Sequence, residues 1–125
     1  MADDFLAYGR HWIDENDIAA VAASLRGDWL TTGPAVEAFE QAFAETVGSR
    51  YAVVVANGTA ALHLAALAAR LGPGDLGIAP TMSFLASANG MRYTGADILF
   101  ADADPGTGLV TPETFRAAIA TAPRP

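Results

Sequence analysis

The sequence predicts an α/β fold with a largely parallel sheet and flanking helices. From Tyr51 onward, short apolar runs alternate with helix-forming stretches in the order β-α-β-α-β-α, the pattern of helices layered on a sheet through right-handed crossovers. Glycine and proline punctuate the junctions, at Gly58, Gly72-Pro73-Gly74, Gly95 and Gly106 to Gly108. Ahead of this alternation, residues 1–48 read as a helical segment. The 125 residues, 52% hydrophobic, suffice for one compact core, so the prior is a single domain or one piece of a larger one.

Phe5 to Trp12 is a short irregular segment whose Tyr8, Arg10, His11 and Trp12 either line a site or pack on a surface; packing is the plainer reading. Between Asp14 and Leu25, Ile18, Val21, Ala22 and Leu25 recur at helical spacing, and Asp14, Glu15 and Asp17 sit at the end where the helix dipole favours anions. Gly27 ends this helix. Asp28 to Gly33 is a loop, and Pro34 stands where a first helical turn tolerates proline. Val36, Phe39, Phe43 and Val47 then mark a second amphipathic helix closed by Gly48, with Glu37, Glu40 and Glu45 on a solvated face.

Tyr51 to Ala56 reads as a buried strand, followed by a helix from Thr59 to about Leu71. Gly72 to Asp75 turns the chain into a second strand around Ile78-Ala79-Pro80. The next helix runs from about Phe84 to Tyr93 and stops at Gly95, and Ile98 to Ala101 is the third strand. Thr111-Pro112-Glu113 opens the last helix, with threonine as N-cap and proline in the first position.

Composition removes several classes of function. There is no cysteine, so neither a disulfide framework nor a thiolate metal site exists. The net charge of −7 argues against nucleic acid as a partner, because phosphate-backbone binding rests on clustered Lys and Arg. The start is acidic and no apolar run approaches about 18 residues, so neither a signal peptide nor a transmembrane helix is expected and the predicted compartment is the cytoplasm. All seven basic residues are arginine. Without lysine, chemistry that needs an internal amine nucleophile has no residue to carry it.

The strand-to-helix junction Val53 to Leu64 carries the clearest chemical signal. A helix N-terminus offers unpaired N–H groups and a partial positive charge, so a phosphate over Gly58, Thr59 and Ala60 meets several donors. Gly58 allows close approach, and the Thr59 hydroxyl adds a further bond. The alternative is that Asn57 simply caps the helix and no ligand is involved. His63, one turn beyond Thr59, reads as a packed, hydrogen-bonded histidine.

Trp29-Leu30-Thr31-Thr32-Gly33-Pro34, Phe39-Glu40, Asn57-Gly58-Thr59-Ala60-Ala61-Leu62, Pro80 with Ser83-Phe84-Leu85-Ala86-Ser87, and Phe100-Ala101-Asp102 stand in an order and spacing that resembles the N-terminal part of the DegT/DnrJ/EryC1/StrS sugar aminotransferases, from about Tyr8 to Ile119. The resemblance implies the three-layer large domain of a fold-type I pyridoxal-phosphate (PLP) enzyme, incomplete in this chain. It implies that Gly58, Thr59 and Ala60 hold the phosphate of pyridoxal 5'-phosphate and that Phe84 stacks on its ring. It also implies that Tyr8, Leu30, Thr31 and Thr32 border a nucleotide-sugar pocket near a dimer interface; Thr31 and Thr32 equally suit local bonds to backbone groups.

Implied partners are a nucleotide-linked keto-deoxy sugar, an amino donor such as glutamate, and a second copy of the chain, since a partial sheet leaves open edges and an apolar face. Metal ligands are not expected. The Schiff-base lysine and the acidic partner of the pyridine nitrogen belong, in the family, to positions beyond Pro125, so residues 1–125 read as an N-terminal portion that is inactive alone. A dehydratase of the same family, with histidine in place of the lysine, and a non-catalytic fragment that only self-associates are the alternatives. One departure stands out: Gly74-Asp75-Leu76-Gly77-Ile78 replaces the usual Gly-Asp-Glu-Val-Ile, and glycine weakens a strand.

Overall fold

A computed structural model of the chain describes residues 9–122. The chain falls into two compact units, Met1–Val54 and Val55–Pro125.

The first unit contains α1 (Glu15–Arg26) and α2 (Pro34–Val47). Asp14 caps α1: its carboxylate accepts from the Asn16 and Asp17 N–H groups, while the Asp17 side chain accepts from the Asp14 N–H at 2.9 Å. This reciprocal arrangement satisfies donors that the helix cannot. Pro34 begins α2, and Gly48 ends it in the left-handed region at φ 68°, a conformation that costs glycine nothing. Phe39 and Phe43 stack one turn apart with ring centroids 5.9 Å from each other. Trp12, expected to pack, is 90% exposed.

The expected strand from Tyr51 to Ala56 does not form. A strand exists only through its ladder, and the sole ladder among the described residues lies elsewhere. The Val54 N–H is taken instead by the Glu40 carboxylate at 2.8 Å, and the Ser49 hydroxyl donates to the Tyr51 carbonyl at 2.8 Å. Glu40, read as a solvated charge, is therefore a backbone tether.

The second unit runs in the order α3 (Gly58–Ala68), β1 (Leu76–Pro80), α4 (Ala86–Arg92), β2 (Asp97–Ala101) and α5 (Pro112–Ala120). β1 and β2 pair in parallel, from Leu76 opposite Asp97 to Pro80 opposite Ala101. α4 packs on both strands and on α3, and α5 packs on β2. The last helix starts as expected: the Thr111 hydroxyl accepts from the Thr114 N–H, the Thr114 hydroxyl accepts from the Thr111 N–H, and Pro112 follows the cap. α4 is shorter than expected, beginning at Ala86, so Phe84 and Leu85 precede it. α3 ends at Ala68 rather than near Leu71, with Arg70 in the left-handed region and the Leu71 N–H donating to the Ala66 carbonyl at 3.1 Å.

Two buried glycines let α4 sit where it does. A Cβ on Gly90 would lie 2.8 Å from the Leu62 Cβ and 3.1 Å from its carbonyl carbon, so the two helices approach almost backbone to backbone. A Cβ on Gly77 would lie 2.7 Å from the Met91 sulfur. Gly77 therefore does not disrupt its strand; it opens the space into which α4 packs. Small residues dominate the interior, and the buried apolar side chains among the described residues are all alanine: Ala44, Ala66, Ala79, Ala86, Ala88, Ala96, Ala101 and Ala118. No helix among the described residues is long and apolar enough to cross a membrane.

Gly90→Ala should destabilise the second unit by about 1–3 kcal/mol, because the new methyl meets backbone that cannot rotate away. Urea unfolding followed by circular dichroism measures this, and a change below about 0.5 kcal/mol would contradict the close approach.

Candidate active site

In the second unit, the residues of interest stand at helix starts: Gly58, Thr59 and Ala60 in the first turn of α3, and Phe84 between β1 and α4. Asn57 adopts an extended conformation at φ −168° and its Oδ1 accepts from the Ala60 N–H at 2.9 Å. The capping alternative is thus realised, and it consumes one of the three predicted donors. The Gly58 N–H, the Thr59 N–H and the Thr59 hydroxyl take no partner among the described residues. Gly58 is exposed, Thr59 is half-buried, and a Cβ built on Gly58 meets nothing within 4 Å. The space beside Gly58 is open, and the positive end of the helix dipole lies at this turn. The donors and the opening fit a phosphate.

Phe84 belongs to the same unit, on the loop between β1 and α4, and is 78% exposed. Its ring lies outside the core and is free to cover a flat aromatic ligand. The loop is held at its start by the Thr81 N–H, which donates to the Ala101 carbonyl at 2.9 Å, and by the Thr81 hydroxyl, which donates to Asp102 Oδ1 at 3.2 Å. At its far end the Ser83 and Ser87 hydroxyls bond at 2.6 Å. Asp102 and Thr81 escaped notice as a pair because 21 positions separate them and only strand register brings them together.

His63 packs edge-on against Tyr93, with centroids 5.5 Å apart. The packing matches expectation, while a hydrogen bond to its ring is not seen among the described residues.

Leu30, Thr31 and Thr32 fall in the first unit. They line an open cavity of about 500 Å³ whose other walls include Val21, Leu25 and Trp29. Neither threonine hydroxyl bonds a backbone group among the described residues. Thr32 has φ 43°, a left-handed conformation that is costly for a β-branched residue. Tyr8 lies outside the described residues. No cluster of potential metal ligands occurs among the described residues.

The model of the DegT/DnrJ/EryC1/StrS aminotransferase family matches residues 11–124. Among solved structures, the chain is similar to an aminotransferase from Psychrobacter cryohalolentis, at 35% identity and TM-score 0.77, covering 86% of this chain and 28% of that one. It is similar to a protein from Streptococcus pneumoniae assigned as a sugar aminotransferase, in its PLP form, at 30% identity and TM-score 0.77, covering 85% and 27%. It is also similar to the GDP-4-keto-6-deoxy-D-mannose-3-dehydratase of E. coli with bound hydrated PLP, at 30% identity and TM-score 0.75, covering 88% and 30%. The chain thus spans less than a third of the length of these relatives. The likeness gives the fold as that of the fold-type I PLP-dependent aminotransferases, here with five helices and a small parallel sheet.

Titration with inorganic phosphate should shift the Gly58 and Thr59 amides in the NMR spectrum, with Ala60 moving less because Asn57 holds it. Thr59→Val should weaken binding modestly, since the amides persist, and a bulky residue at position 58 should weaken it more by filling the approach. Silence at both amides, with shifts elsewhere, would show that this turn is not an anion site.

Proposed function

This chain belongs to the DegT/DnrJ/EryC1/StrS aminotransferase family, and on that premise we propose that it supplies the phosphate grip and ring-stacking surface of a PLP-dependent aminotransferase acting on a nucleotide-linked keto-deoxy sugar. The observation that carries the reading is the pair of amides at Gly58 and Thr59, unpartnered among the described residues, at an exposed glycine and in the same unit as an exposed Phe84.

In this reading the Gly58 and Thr59 N–H groups and the Thr59 hydroxyl bind the phosphate, where the dipole of α3 adds attraction. Asn57 holds Ala60 and so fixes the first turn that presents those donors. Phe84 covers one face of the pyridine ring and shields it from water. When bound, PLP supplies the electron sink through which an amino group passes from a donor such as glutamate to the keto sugar. Leu30, Thr31, Thr32 and Tyr8 are the proposed sugar-nucleotide contacts. Homodimer formation fits the apolar side chains that the chain leaves in water, among them Leu62, Leu64 and Leu67 on α3 at 45%, 46% and 46% exposed.

The similarity to a sugar dehydratase supports a second reading, in which the same phosphate and ring contacts serve a dehydration. A lysine or a histidine at the position that receives the cofactor aldehyde distinguishes the two in the family, and residues 1–125 contain no lysine.

The 125-residue chain should therefore bind free PLP no more tightly than roughly millimolar, about −4 kcal/mol, with NMR shifts at Gly58, Thr59 and the Phe84 ring. With glutamate added, it should form no amine form of the cofactor above the free-PLP background. Turnover above that background contradicts the assignment of the nucleophile to a lysine, and binding that leaves these three residues unperturbed contradicts the cofactor reading itself.

A further inference from the structure

Parallel strands β1 and β2 end in register at Pro80 and Ala101. One residue later the ladder is extended by a bond from the Thr81 N–H to the Ala101 carbonyl, 2.9 Å long, and the Thr81 hydroxyl donates to Asp102 Oδ1 at 3.2 Å. The same Oδ1 accepts from the Ala103 N–H at 2.9 Å. A single carboxylate oxygen therefore joins the chain leaving β1 to the chain leaving β2. Beyond it, Met82, Phe84 and Leu85 stand 71%, 78% and 68% exposed, with little packing to hold them. The next fixed points are the hydroxyl pair of Ser83 and Ser87 and the bond from the Ser87 N–H to the Phe84 carbonyl at 2.9 Å. Hydrogen bonds at the two ends, rather than apolar burial, determine where this loop lies.

We propose that Asp102 is a positioning residue for Phe84, acting through Thr81 to fix the 81–85 loop so that the ring stands ready to stack on a flat cofactor. The inference rests on the reading of Phe84 as the stacking partner. It adds a reason for an acceptor oxygen at position 102: one oxygen takes both the Thr81 hydroxyl and the Ala103 N–H, and an exposed aromatic contributes to binding in proportion to how little order it must acquire on contact.

The test uses the 125-residue chain with Asp102→Ala, Thr81→Val and Asp102→Asn. In the free protein, 15N relaxation of the Met82 to Leu85 amides should show greater motion in Asp102→Ala and Thr81→Val. It should show near wild-type order in Asp102→Asn, whose carboxamide oxygen can accept the same two bonds. Affinity for PLP should fall about threefold to tenfold in the first two variants, the loss expected for one exposed hydrogen bond, while affinity for inorganic phosphate, which has no ring to stack, stays the same. Unchanged loop order in both Asp102→Ala and Thr81→Val overturns the proposal, as does an equal loss for both ligands, which marks a general structural effect. If the wild-type chain binds neither ligand, the cofactor reading fails, and the relaxation data decide alone whether Asp102 holds the loop.

Discussion

The second unit depends on how closely α4 can approach its neighbours. Leu62 on α3 stands over Gly90, and Met91 reaches down to Gly77 on β1, so both contacts exist only because those positions lack a Cβ. Dispersion falls off steeply with separation, and a helix set even about 1 Å further out would forfeit a quarter to a half of each contact. Once α4 is seated, its first residue Ala86 fixes where the preceding loop must end, and Phe84 lies two residues before it. At its other end the Arg92 guanidinium reaches the Ala96 carbonyl and the Asp97 carboxylate, at 3.1 and 2.8 Å. That ion pair is exposed and contributes little to stability, but it spans the turn into β2. Gly95, at φ 91° and packed under Pro73, completes the turn.

The first turn of α3 has a side-chain cap that takes only one of its three leading donors. Asn57 is an efficient N-cap, and capping of this kind contributes about 0.5–2 kcal/mol to a helix. It takes the Ala60 N–H, the donor furthest along the helix, and leaves those nearest the open space above Gly58. The helix is thus secured with the Gly58 and Thr59 N–H groups left unpartnered among the described residues. Aspartate in the same place would cap as well but would set a negative charge beside those two donors.

Much of this architecture was legible in the sequence, and for local reasons. Asp14, Gly48, Asn57, Thr111 and Pro112 act within one turn of where they stand, so side-chain chemistry alone identifies the helix ends. The larger departures are non-local. Tyr51 to Ala56 has the composition of a buried strand, but pairing is a property of two segments, and no described segment forms a ladder with it. Gly77 reads as a weakness in β1 until Met91 is seen against it. Glu40 resembled every other charge on its helix, and its bond to Val54 crosses 14 positions. In the candidate site, the turn that leaves the Gly58 and Thr59 donors unpartnered was legible because it is contiguous, whereas the link between Thr81 and Asp102 appears only when β1 and β2 are laid in register.

The all-alanine interior has a calorimetric consequence. The heat-capacity increment of unfolding comes from apolar surface newly wetted, at about 0.45 cal/mol/K per Å². Here the largest apolar side chains already meet water: Phe39, Phe43, Phe84 and Phe100 are all at least half exposed. Little hydration remains to be gained when the chain opens. The free energy of the folded state should then curve only gently with temperature, with cold and heat unfolding set far apart.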